Sequence, residues 1–129
     1  MSTAIPDIFA TVPDKDYLSF YAQNQLQYNR VPNFLNFKKD DVSRATGVAQ
    51  HSVRFDEKMP QELKERIEEW ATLLNLVAEH FKGDQNKTTQ WFIMPNPLLG
   101  EVSPRDMIRL GRYKKLLNFV INALAENRR

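Results

Sequence analysis

Cysteine is absent from the 129-residue chain, and glycine is scarce, at four residues. Without thiols there can be no disulfide framework, no thiolate nucleophile and no cysteine-ligated zinc or iron–sulfur site. A reducing compartment, the cytoplasm, is the expected location. The two histidines, His51 and His80, are far apart and outside any His-x-x-x-His or Glu-x-x-His pattern, so no metal site is expected. There is no Gly-x-x-x-x-Gly-Lys loop to cradle a phosphate and no Gly-x-Ser-x-Gly elbow to hold a nucleophile. Glu62, Glu65 and Glu69 accompany Lys64 and Arg66, as on the solvated face of a helix. These absences predict a protein that performs no reaction and binds no cofactor. The first ten residues lack a basic start and an apolar run, and no segment approaches the roughly 20 apolar residues of a membrane span, so neither export by that route nor embedding is expected.

With 42% hydrophobic and 26% charged residues, the chain can bury a core. Its charge is uneven although the net value is only +2. From residue 105 onward, seven bases face two acids; over residues 60–90, four bases face six acids. A basic end beside an acidic middle suits an acidic partner cleft or phosphates, and suits a solvated face equally well.

Periodicity predicts helices throughout and no strand, giving an all-α fold. Residues 1–12 read as an arm that is ordered only when docked. Tyr17, Leu18, Tyr21, Gln25 and Tyr28 predict a helix over 17–30, offered an N-cap by Asp14 and closed by Val31-Pro32. Short helices follow over 38–46, stopped by Gly47, and over 50–55. The longest signal runs from Pro60 to Gly83, with Leu63, Ile67, Trp70, Leu74, Val77, Ala78 and Phe81 on one stripe, and is read as the spine of the fold. After a break at 83–86 come a helix over 88–93, the prolines 95 and 97, and a helix opened by Ser103-Pro104 and ended near Gly111. A last helix carries Tyr113, Leu116, Leu117, Val120, Ile121 and Leu124 on one face.

Two constellations could carry function. In residues 38–54, helix, glycine turn and second short helix are the ingredients of a helix-turn-helix, packed through Val42, Ala45, Val48 and Val53. Lys38, Lys39, Gln50, His51, Ser52 and Arg54 would then meet bases or phosphates. A three-helix core element that never touches DNA fits the same residues. In residues 91–108, Trp91, a Pro-Asn-Pro corner, Leu98, Leu99, Gly100 and a capped helix make a specific shape. It reads either as packing between helices or as a docking module.

Residues 91–124 resemble the C-terminal toxin-binding domain of the Xre/MbcA/ParS antitoxins, matching at Trp91, Pro95, Asn96, Leu99, Gly100, Ser103, Pro104, Gly111, Leu117 and Leu124. Residues 41–54 look like that family's Xre-like helix-turn-helix, so the likeness spans roughly residues 34–129. Glu101 departs from it, standing where many members have a second glycine. The resemblance implies an Xre-like helix-turn-helix element, a long spine helix and a small helical toxin-binding domain, divided as 1–33, 34–83 and 84–129. It implies an antitoxin that covers the nucleotide cleft of an NAD-consuming RES-domain toxin, working as a homodimer or a hetero-oligomer with the toxin, with operator DNA as a second partner. Trp91, Asn96, Leu98, Leu99 and Met107 would bind the toxin, and Arg128 and Arg129 would pair with carboxylates at its cleft. A helix-turn-helix regulator without a toxin and a purely structural helical adaptor are the competing readings.

Overall fold

The computed structural model describes residues 16–127. Among them are one small hairpin, β1 (Tyr21–Ala22) and β2 (Gln25–Leu26), and six α-helices. The helices are α1 (Arg30–Phe34), α2 (Lys39–Thr46), α3 (Gln61–His80), α4 (Gln85–Ile93), α5 (Pro104–Arg109) and α6 (Tyr113–Asn127). The mainly helical expectation holds, and the expected N-terminal arm lies outside the described residues.

The helix expected over 17–30 does not form. Tyr21 pairs with Leu26 and Ala22 with Gln25, across a loop whose Gln23 and Asn24 both take left-handed backbone angles (φ 53° and 64°). That handedness matches the twist of a two-residue hairpin. The segment is anchored by long-range contacts. The Asp16 carboxylate accepts the amides of Phe20 (3.0 Å) and Tyr21 (2.7 Å) and the side-chain amide of Asn75 (3.1 Å), while Asn75 Oδ1 accepts the Leu18 amide (3.1 Å). Leu18 and Phe20 are both buried, and Ser19 between them takes a left-handed backbone (φ 58°) that turns the chain. Pro32 sits in the first turn of α1 instead of ending a helix, at a position whose amide needs no intrahelical partner.

α2 closes as expected, with Gly47 left-handed at φ 79° and its amide donating to the Ser43 carbonyl (2.9 Å). The second short helix is only a 3₁₀ turn, Gln50–Ser52, and Val53 is already extended. The Asp56 carboxylate accepts the Lys58 amide (3.0 Å) and the Arg54 guanidinium (Nε, 2.8 Å), organising a turn where the expected helix would have ended. Val42, Val48 and Val53 are buried and Ala45 is half-buried, so the expected packing residues do face inward.

α3 is the spine. Twenty residues span about 30 Å. Leu63, Ile67, Trp70, Leu74, Val77 and Ala78 are buried, as are Ala71 and Leu73 beside them, so more than one face is covered. Trp70 meets Phe37 edge to face at 5.8 Å. The helix ends through Gly83 (φ 83°), whose amide donates to the Ala78 carbonyl (2.8 Å). Any side chain there would meet the Tyr17 ring, 2.9 Å from where a Cβ would lie. α4 starts three residues before the expected position because Asp84 caps it, accepting the Lys87 amide (3.0 Å). α6 packs through Leu116, Leu117 and Val120.

Tyr113, at the start of α6, donates its hydroxyl to the Glu69 carbonyl of α3 (3.0 Å). Burial, reinforced by the Glu69 charge, pushes this phenol far above its ordinary range. Burial also raises Tyr28, whose hydroxyl donates to the Glu68 carboxylate (2.6 Å). The folded chain therefore keeps protons that the unfolded chain loses above about pH 10, and their stabilising contribution, complete below that value, is lost as pH rises. Between about pH 10 and 11, Tyr113 alone is expected to lower folding stability by about 1 kcal/mol. Thermal melts across this range check it, and a Tyr113→Phe variant should show a shallower fall.

Candidate functional site

Residues 96–102 form a loop braced almost entirely by itself. The Asn96 carbonyl accepts the amides of Leu99 and Glu101 (both 2.9 Å), and the Asn96 amide donates to the Val102 carbonyl (3.2 Å). The Asn96 side chain accepts the Leu98 amide (2.9 Å), opening the 3₁₀ turn Pro97–Leu99. Gly100 (φ 70°) and Glu101 (φ 67°) are both left-handed, so the chain reverses in two residues. Ser103 then caps α5, accepting the Asp106 amide (3.1 Å), with Pro104 in the first position.

Position 101 is thus one where glycine is the unstrained choice, and a glutamate occupies it. A left-handed non-glycine residue costs roughly 1–2 kcal/mol, offset in part by the greater backbone freedom glycine loses on folding. Glu101→Gly should raise stability by about 0.5–1 kcal/mol, read as a higher urea midpoint with an unchanged slope.

What the brace holds out is apolar. Leu98 is 78% exposed, Met94 59% and Ile93 54%. Trp91 is half-buried, edge to face with buried Phe92 at 5.0 Å, and forms a wall shared by two grooves. One groove, about 230 Å³, lies between the C-terminal end of α3 and α6, lined by Val77, His80, Phe81, Phe119, Ala123 and Leu124 with Asn96 and Leu98 at the loop. The other, about 400 Å³, runs along Met94, Pro95 and Pro97 with Lys87 and Gln90. The first lining is mostly hydrocarbon, its polar side-chain groups being one imidazole, one carboxamide and the indole of Trp91, so its chemistry is chiefly burial of apolar groups.

Of the toxin-binding residues expected from the sequence, Trp91, Asn96, Leu98 and Leu99 come together here. Leu99 is half-buried against the core, and Asn96 spends its oxygen on the Leu98 amide. Met107 does not stand at the surface: it is 5% exposed and belongs to the hydrophobic core. Arg128 and Arg129 lie outside the described residues. Phe119 and Ala123 were missed by the sequence reading; their signal is a second apolar pair at i and i+4 beside the main stripe of α6.

Of the expected DNA-contacting residues, Lys38, Lys39, Gln50 and His51 are exposed and Ser52 is partly so. Arg54 is exposed but bound by both oxygens of Asp56. That pairing raises the arginine and lowers the carboxylate from their ordinary values, and it engages one edge of the guanidinium, through Nε and one terminal nitrogen. Among the described residues there is no cluster of three potential metal ligands. No described helix is long and apolar enough to cross a membrane.

Arg105, counted with the basic C-terminal segment in the sequence, is committed internally. Its guanidinium donates to the Leu35 and Asn36 carbonyls (2.9 Å for the latter) and lies 5.0 Å from the Phe37 ring centre. It ties the loop after α1 to the start of α5.

No family model and no solved structure matches the chain. Among curated proteins it is 31% identical over 102 residues to the mycobacterial cidal antitoxin MbcA of Mycobacterium tuberculosis (strain ATCC 25618 / H37Rv). It has the same identity to MbcA of Mycobacterium bovis (strain ATCC BAA-935 / AF2122/97). Each alignment covers 78% of this chain and 80% of the relative. Shared over so much of both lengths, the likeness is one of whole proteins and not of a local motif, and this chain belongs to the MbcA family of antitoxins.

Proposed function

We propose that this chain is the antitoxin of a toxin–antitoxin pair and silences an NAD-consuming RES-type toxin by covering its active-site cleft, with the Trp91–Leu98 surface as anchor. The observation carrying this reading is the braced loop that holds Leu98 almost fully exposed beside an apolar groove. A loop whose backbone is held in one geometry gives up little conformational freedom on binding, which is what an inhibitory plug requires. Leu98, Met94 and Ile93 supply the buried centre of such an interface, and Lys87, Gln90 and His80 supply polar groups at its edge. Arg128 and Arg129 follow directly on α6, one wall of the groove, and pairing of their guanidinium groups with toxin carboxylates belongs to the same proposal. The antitoxin role itself is supported by membership of the MbcA family.

The test is co-expression with a RES-domain toxin, affinity capture of the complex, and an assay of NAD consumption. A stable complex with suppressed NAD loss is expected. Full NAD consumption in the presence of excess antitoxin overturns the proposal, as does turnover by the antitoxin alone.

A further inference from the structure

The apolar groove between α3 and α6 stands open among the described residues, and the described chain begins close to it. Asp16 is tied to Asn75 of α3 (3.1 Å), and the Tyr17 ring packs against Gly83, two residues beyond Phe81 of the groove wall. Val77, another wall residue, is two positions and so about 200° round the helix from Asn75, which puts the groove on the opposite flank of α3, about one helix diameter or 10–12 Å away. The eight residues from Asp16 back to Ile8 reach about 26 Å when extended, enough to pass over the end of the helix. What they carry suits the lining. Ile5, Ile8, Phe9, Ala10 and Val12 are apolar, and Asp7 is the one charged side chain among residues 2–13. Pro6 and Pro13 enclose a stretch too short to hold a helix of its own and bias the residues before them toward extended backbone. The groove's 230 Å³ is roughly eight times a water molecule's share of the liquid, room for a side chain or two and not for a helix.

We propose that in the free chain residues 5–12 dock in this groove through Ile8 and Phe9, so that the antitoxin covers its own anchor surface until a partner displaces the arm. A segment tethered this close is present at an effective concentration in the millimolar range, far above that of a second copy of the chain at micromolar concentration. Ile93, Met94 and Leu98 lie exposed around Trp91, and a contiguous apolar patch on an unpartnered chain invites self-association, which an intramolecular cover prevents. The docking itself needs no toxin. That the arm and the toxin compete rests on the reading of this surface proposed above, and the cost is then a fixed factor in apparent affinity, set by the fraction of time the groove stands free.

The chain has no cysteine, so a nitroxide placed on Thr11→Cys of the full-length protein is a single spin label that broadens the amide resonances near it. The amides of Leu98, Phe119 and Ala123 are expected to broaden about threefold more than that of Lys114, which is nine residues or about 14 Å along α6 from Ala123. Ile8→Ser with Phe9→Ser in the labelled chain should abolish that contrast while the helical circular dichroism stays that of the parent, which separates docking from tethering alone. Even broadening, or a contrast that survives both substitutions, overturns the proposal. So does broadening of the groove amides when spin-labelled chain is mixed with isotope-labelled chain that carries no nitroxide, because the occupant is then a second copy. Against a RES-domain toxin, Ile8→Ser with Phe9→Ser should bind about threefold to tenfold more tightly than the parent, as for an arm that fills the groove roughly two-thirds to nine-tenths of the time. Equal affinity of the two overturns the competition. Absence of toxin binding by either chain, with the spin-label contrast present, is failure of the toxin reading alone.

Discussion

Replacing Leu98 by aspartate is expected to abolish toxin neutralisation while leaving the melting temperature of the free antitoxin within about 2 °C of the parent. Leu98 is 78% exposed, so a carboxylate there breaks no core contact, and surface substitutions of this kind cost little stability. In the complex the same position would sit at the desolvated centre, where the new charge loses its hydration and the leucine contacts are gone. Central anchors carry about 2 kcal/mol or more each, and an unpaired buried charge adds to the loss, so affinity for the toxin should fall at least 100-fold. Titrating NAD consumption by a fixed amount of toxin reads this directly. Asn96→Ala provides the graded control: it removes the cap on the Leu98 amide without touching the anchor, and should weaken inhibition by about fivefold to tenfold through loss of preorganisation. Inhibition by Leu98→Asp at parent strength would remove this loop from the interface.

Arg105→Ala should lower stability by about 2–3 kcal/mol, more than a surface arginine warrants. The substitution strips donors from the Leu35 and Asn36 carbonyls and removes the cation above Phe37. Leu35 is 2% exposed and Phe37 7%, so the loss at the Leu35 carbonyl and the Phe37 ring falls on a part-buried contact, while the Asn36 carbonyl faces solvent. Arg105→Lys should recover less than half, because an ammonium cannot reproduce the planar fork that serves two carbonyls at once. Urea denaturation of the three proteins measures it, and a loss below about 0.5 kcal/mol for the alanine variant would show that these hydrogen bonds contribute nothing net.

Where a feature depended on residues close together in the chain, it could be read in advance. Ser103 before Pro104 and Gly47 after Thr46 each act on a backbone group within a few positions, and each does so in the structure. The long stripe of α3 is likewise a local periodicity. The hairpin at 21–26 was misread for the opposite reason. Tyr17, Tyr21 and Tyr28 recur at helix-compatible spacing, but the conformation is decided by Asn75, more than fifty residues away, which satisfies Asp16 and the Leu18 amide. The 50–55 helix failed because Asp56 offers its carboxylate to Arg54 and to the Lys58 amide, a competition invisible in apolar periodicity. Met107 shows the limit within the site: the start of α5 is legible from Ser103-Pro104, but six residues are too few for periodicity to say which face turns inward. The charge excess after residue 105 was countable, yet the sequence did not distinguish Arg105, spent on the loop after α1, from Arg112, Lys114 and Lys115, which remain at the surface.

Asn75 also constrains how the spine helix can sit. It is one of few polar side chains in the interior, 5% exposed, and both ends of its amide are used. Turning α3 by a single residue would carry that amide about 100° away from Asp16 and Leu18 and strand it against hydrocarbon, at a cost of several kcal/mol. Apolar neighbours alone would tolerate such a slip far better. Val77 and His80, within a turn and a half of Asn75, inherit its orientation. A carboxamide on the far side of the core thus acts as the key that sets the azimuth of the groove.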